Sequence, residues 1–275
     1  MTAIPRSGRA ASLALAGLAA LFVAGVIAAA WTIPPSALAT DPAARLLAPS
    51  WTHPFGTDGL GRDMVVRTLE GLALSLAVGF LAATLSAIAA LVLAVAAASS
   101  PTLDAIVGGL VDLALGLPHL VLLILVAYAL GGGTEAVVAA VALTHWPRLT
   151  RVLRAEILQV RGALYVQTSR RLGRSGAWIA RHHFAPHLLP QLLVGFVLLF
   201  PHAIMHEAAL TFLGFGLEPH LPAVGVMLAE SLRYLTGGYW WLAVLPGLML
   251  VALTLAFDRL GDGLRRLVSP WEAER

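Results

Sequence analysis

Thirty-three consecutive residues, 71–103, carry no charged side chain. A run of that length constrains the fold more than any other feature of the chain. Crossing the hydrocarbon layer takes about 20 apolar residues in a helix, because backbone polar groups at that depth must bond internally. Further apolar stretches occupy 11–31, 104–130, 134 to past 146, 182–206 and 234–257, and the third of the six spans so counted stops at Gly131, Gly132 and Gly133. The pattern predicts an all-α membrane protein of six transmembrane helices. The first stretch follows Arg6 and Arg9 as a signal peptide would, but it is longer than a usual signal core and ends in Trp31-Thr32-Ile33-Pro34-Pro35, so a retained helix is expected.

Composition agrees with a bilayer as the solvent. Of 275 residues, 59% are hydrophobic and 12% charged, against about a quarter charged in soluble domains. Cysteine is absent, which excludes thiolate metal sites and disulfides and leaves any metal handling to His, Asp and Glu. All 18 basic residues are arginine, and they flank apolar spans, which argues for membrane topology rather than nucleic-acid binding. Cytoplasmic loops keep positive charge. With the N-terminus inside, the inner segments hold 2, 8 and 4 arginines and the outer segments 4, so both termini are expected in the cytoplasm. The organisation that follows is an N-terminal end and first helix at 1–32, an outer (periplasmic) loop at 33–70, and a core at 71–268. That core contains a long inner loop at 148–187, and a cytoplasmic tail follows at 269–275. No internal repeat appears.

Two segments carry most of the functional information. In the inner loop, Tyr165 to Arg171 is helix-prone, Gly173 supplies a break, and Trp178 and Ile179 put apolar surface on a short helix outside the bilayer. Read from its residues alone, such a loop either docks on a partner or binds lipid headgroups. On the outer side, 53–63 is rich in glycine and charge and reads as a turn-rich loop closed by a short helix. Its residues Thr57, Asp58, Arg62 and Asp63 fit either a self-bonded structural loop or a contact for a partner.

Ionisable groups inside the membrane are functional candidates by default. His202 and His206 lie one helical turn apart with Glu207 beside them, and imidazoles so placed serve either as metal ligands or as hydrogen-bonded packing residues. Asp104 and Asp112 share a face of the third helix, and Asp112 is expected to line a path or to pair with another subunit. His119, His182, His183, His187 and His220 look scattered, and structural or interfacial roles are expected of them.

The inner segment resembles the EAA loop of ABC importer permeases. Gln167-Thr168-Ser169 stands where Glu-Ala-Ala is usual, Gly173 matches the glycine, Ile179 the isoleucine, and Leu189-Pro190 the ending. Glutamine cannot form the charge-assisted bonds of the usual glutamate. Gly56-Thr57-Asp58, with Leu60-Gly61-Arg62-Asp63, resembles the signature of the C-type permease of dipeptide, oligopeptide and nickel importers. Further matches follow at 210–216, 246–248 and 257–265. The resemblance implies the six-span ABC importer permease fold (MetI-like) with a cytoplasmic coupling helix, in the bacterial inner membrane among its lipids. It also implies a B-type permease partner, two ATPases that hold ATP and magnesium, and a periplasmic or lipid-anchored substrate-binding protein, with no covalently bound cofactor. The nickel branch is similar in carrying histidines at 202 and 206, and His145 also resembles it, so nickel or a metal chelate is the expected cargo and a di- or oligopeptide the alternative.

Other classes fit less well. The chain has no His-Glu-x-x-His, no Gly-x-Ser-x-Gly and no lysine for a phosphate loop, which argues against an enzyme. A secondary transporter would commonly show inverted repeats with paired broken helices.

Overall fold

The computed structural model describes residues 6–268; the expected inner ends at 1–5 and 269–275 lie outside the described residues. Among the described residues, ten α-helices carry the fold: α1 (Arg6–Thr32), α2 (Met64–Ser99), α3 (Pro101–Gly116), α4 (His119–Ala129), α5 (Gly133–Gly162), α6 (Leu164–Arg171), α7 (Gly176–Ile179), α8 (Ala185–Phe212), α9 (Val224–Leu235) and α10 (Trp241–Val268). No β-strand occurs among the described residues.

Local chemistry sets the breaks. The Asp63 carboxylate accepts from the Val65 and Val66 amides and so starts α2. Ser100 caps α3 through the Leu103 amide, and its extended backbone (φ −152°, ψ 151°) is what a residue before proline favours. The same rule operates at Leu117, before Pro118, where α3 and α4 meet at 100°. The third span, expected as one helix, is therefore two helices with a sharp bend between them. Pro118 offers no amide to continue α3, and its ring pushes Leu117 out of helical geometry.

Four helices, α1, α2, α8 with its lead-in, and α10, are long and apolar enough to cross a bilayer, and the bent pair α3–α4 makes a fifth. The remaining expected crossing, the fourth in chain order, corresponds to α5, which spans 30 residues. It does not reach that apolar standard, because its uncharged stretch lies only between Glu135 and Arg148 and includes His145, and the helix then continues through Arg151, Arg154 and Arg161. The first part of the expected inner loop is thus the continuation of α5.

The core is built around α2, which packs against α5 and α8. Its buried side is small: Gly71, Ser75, Gly79, Ala82, Ala83, Ser86, Ala90 and Ala94 let neighbouring backbones approach. One cluster joins Leu72 and Leu76 of α2 to Ile204, Met227 and Leu253, with Phe200 and Phe257 stacked at 4.8 Å. Another joins Ala82 to Leu123, Val137 and Val141, and a third holds Ala90, Leu153, Ile157 and Leu188. Large apolar side chains such as Leu18, Phe80, Ile88, Leu248 and Val251 point outward, as lipid-facing residues should.

Candidate functional site: a cavity with three converging histidines

A cavity of about 490 Å³ opens between the α3–α4 bend, α5 and α8. Its walls are largely apolar, with Leu117, Leu149, Val194 and Leu198 among them; the polar groups are His119, His145, His202 and His206, together with Arg148, Gln191 and Arg265. The bend at Pro118 delivers His119 to this wall. His145 sits midway along α5, and His202 and His206 lie near the end of α8.

His119, His145 and His206 meet. Their ring centroids are 4.7, 4.8 and 5.0 Å apart, and one nitrogen from each lies within 4.8 Å of the others. His145 Nδ1–H donates to the Val141 carbonyl at 2.9 Å, and His206 Nδ1–H to the His202 carbonyl at 2.7 Å. Each backbone carbonyl fixes its ring's tautomer and leaves Nε2 as an acceptor. These are residues that could hold a metal ion. His202 faces the same cavity but bonds through Nδ1 to the Leu198 carbonyl at 3.2 Å and stands outside the trio.

The placement corrects several expectations. His119, expected to be scattered, completes the cluster, while His202 does not join it. The signal for His119 was its place directly after Pro118, where a break turns the chain inward. Glu207 points away from the histidines. It is fully buried between α2 and α8, accepting from Ser75 Oγ at 2.6 Å and Thr211 Oγ1 at 3.0 Å, as a structural tie. A helix turns 100° per residue, so adjacent positions cannot share a face. Asp112 pairs with Arg151 of its own chain at 2.8 Å, both exposed, rather than lining the cavity.

In the loop expected on the inner side, α6 ends at a turn where Gly173 has φ +77°, and α7 follows. The Gln167 amide donates to the Gly162 carbonyl, Thr168 bonds back to Leu164, and Ser169 Oγ meets His183 Nε2 at 2.9 Å. Ile179 is not surface for a partner: it is buried with Val160 and Val166 and pins the loop to the end of α5. The exposed side offers Leu172, Arg170, Arg171 and Arg174, with the Arg174 guanidinium over the Trp178 ring. A π-type turn at 180–184 joins α7 to α8 in one helical run from Gly176 to Phe212, so the helix of the fifth expected span starts before 182, and Pro190 lies inside α8.

The loop expected on the outer side is closed on itself. Thr57 is buried, with its hydroxyl donating to Ala44 O and accepting from the Leu47 amide. Asp58, 5% exposed, accepts from the Leu60 and Arg62 amides, from Arg62 Nε at 2.7 Å and from an Arg67 guanidinium nitrogen at 2.7 Å. Burial would raise its carboxyl, but the Arg62 amide, the Arg67 charge and the remaining donors outweigh that and hold it below the usual value. Arg67 also reaches Glu230 of α9 at 3.0 Å. Asp63 meets His53 at 2.8 Å while capping α2. Gly56 and Gly61 have φ of +70° and +79°. Arg67 and Glu230 were missed from the sequence because 163 positions separate them.

The comparisons agree with this architecture. The binding-protein-dependent transport system inner membrane component family matches residues 86–270. A putative peptide transport system permease protein of Brucella suis is 34% identical over 250 residues, covering 91% of this chain and 84% of its own. The dipeptide transport system permease protein DppC of Bacillus subtilis is 33% identical over 262 residues, covering 94% and 82%. A putative peptide permease, also from Brucella suis, is 40% identical over 227 residues, covering 81% and 74%. Among solved structures, an amino acid ABC transporter crystallised with histidines superposes with a TM-score of 0.58 at 20% identity, over 74% of this chain and 94% of that one, and shares the fold. The chain belongs to the binding-protein-dependent transport system inner membrane component family, as a multi-pass inner-membrane permease subunit of an ABC importer whose ATPase is a separate subunit.

Proposed function

We propose that this permease passes short peptides through the cavity between α3–α4, α5 and α8. The observation that carries this is the peptide-transport naming of relatives that match 74–84% of their own length. The cavity's chemistry supports it: about 490 Å³ of mainly apolar wall takes side chains, while Arg148 and Arg265 can meet a terminal carboxylate. Nickel, expected from the histidines at 202 and 206, is the weaker assignment. The relatives named above are called peptide permeases, and His202 stands apart from the cluster.

The working assembly is a B-type permease beside this chain, two ATPases holding ATP and magnesium, and a substrate-binding protein on the outer side. The arginine bias supports an inner position for α6 and α7 and for both termini. There the exposed arginines and Leu172 around Gly173 would seat in an ATPase groove. Closure of the ATPase pair would then move α5 and α8 as rigid bodies, since Ile179 and Val166 bind the loop to Val160.

Uptake of labelled dipeptide and of radioactive nickel, each measured in cells with the permease gene intact and deleted, tests the cargo. Deletion is expected to abolish dipeptide uptake and leave nickel uptake unchanged. Loss of nickel uptake with dipeptide uptake intact would overturn the assignment.

A further inference from the structure

The geometry points to a transition-metal site formed by His119, His145 and His206 at the wall of the cavity, built for a divalent ion of borderline softness such as nickel, cobalt, copper or zinc. Three features carry it. The three imidazoles come from separate helices yet converge on one point, with ligand atoms within 4.8 Å of one another. Nitrogens sharing a tetrahedral ion at about 2.0–2.1 Å lie roughly 3.3 Å apart, so small ring rotations close the set. One ring already carries the outer support that metal-bound histidine uses: Nδ1–H of His145 on Val141 O leaves its Nε2 facing His206, 3.3 Å from that ring's Nδ1, so His206 would join either by releasing the His202 carbonyl or by turning its Nε2 inward. All three also line the cavity, so a fourth coordination position would open on it, as in sites that keep one place for water or an exchangeable ligand.

The donor set selects the ion class. Three imidazoles with no carboxylate and no thiolate suit borderline ions and disfavour calcium or magnesium, which take oxygen ligands. The nearest acidic side chains in the chain sequence do not complete the site: Glu207 is engaged by Ser75 and Thr211, and Asp112 by Arg151. His119 can join only because the α3–α4 break places it there. The site stands on this geometry alone and does not depend on which cargo the permease carries.

The test is Co²⁺ titration of the full-length permease, purified with its partner subunits and with no polyhistidine tag, followed by visible absorption. One Co²⁺ per permease is expected, with d–d bands of an ion in low coordination number. His119→Ala, His145→Asn and His206→Ala should each weaken binding by more than the about 10–100-fold that loss of an outer partner costs. His220→Gln, at an exposed histidine of the outer segment, should leave it unchanged. X-ray absorption on the Zn²⁺ adduct of the unmodified protein needs no variant and should show three imidazole nitrogens at about 2.0–2.1 Å. Absence of stoichiometric binding, an oxygen-dominated zinc shell, or wild-type affinity in any of the three variants would overturn the site. A complex that imports dipeptide but binds no Co²⁺ defeats the site and leaves the cargo assignment standing; one that binds Co²⁺ through the trio but imports no dipeptide does the reverse.

Discussion

Asp58 and Gly61 show how much of the outer loop rests on single residues. A Cβ at Gly61 would overlap the Asp41 carbonyl oxygen, and φ there is +79°. Gly61→Ala therefore adds a backbone overlap to a left-handed conformation that alone costs about 1–2 kcal/mol for other residues. A lowered unfolding midpoint and reduced insertion, read by thermal denaturation in detergent, are expected. Asp58→Ala leaves Arg67, only 3% exposed, with Glu230 as its remaining partner. Breaking such a buried pair costs about 3–5 kcal/mol, and the half-exposed Glu230 puts the expected loss near the lower end. Protonation does the same by degrees. Because the folded Asp58 carboxyl titrates below its ordinary 3.8, its stabilisation is full above that value and fades as pH falls through the lower folded one. Protease sensitivity of the outer loop should rise in that acid range, and Asp58→Asn should flatten the acid dependence.

At the scale of elements, Gly173 is the sharpest test of coupling. A side chain there would meet nothing within 4 Å, so the cost of replacing it is the left-handed backbone at φ +77°, about 1–2 kcal/mol. Gly173→Leu should leave the protein inserted at near-normal levels and abolish uptake, because the turn between α6 and α7 is reset without a core clash. Full transport by a normally inserted variant would remove the coupling role. The helices themselves were legible from runs of apolar residues, and the loop's turn from a glycine. The α3–α4 bend was not, although Pro118 marks it, because both halves are equally apolar and periodicity is silent about direction. The extent of α5 was missed for the opposite reason: its arginines read as loop, whereas they are the polar end of a continuing helix.

For the whole molecule, the broad assignment was written in ordered motifs along the chain, while the site was not. His145, His202 and His206 could be named as candidates, but convergence of His119 and divergence of Glu207 depend on how the elements pack, which no spacing rule encodes. Transport through this chain is driven by ATP on partner subunits. Its most direct test is uptake into proteoliposomes holding the permease with its partner permease and both ATPases, with the substrate-binding protein and labelled dipeptide outside and ATP inside. Accumulation that requires internal ATP and persists when ion gradients are collapsed is the predicted result. Accumulation that follows an ion gradient without ATP would contradict it.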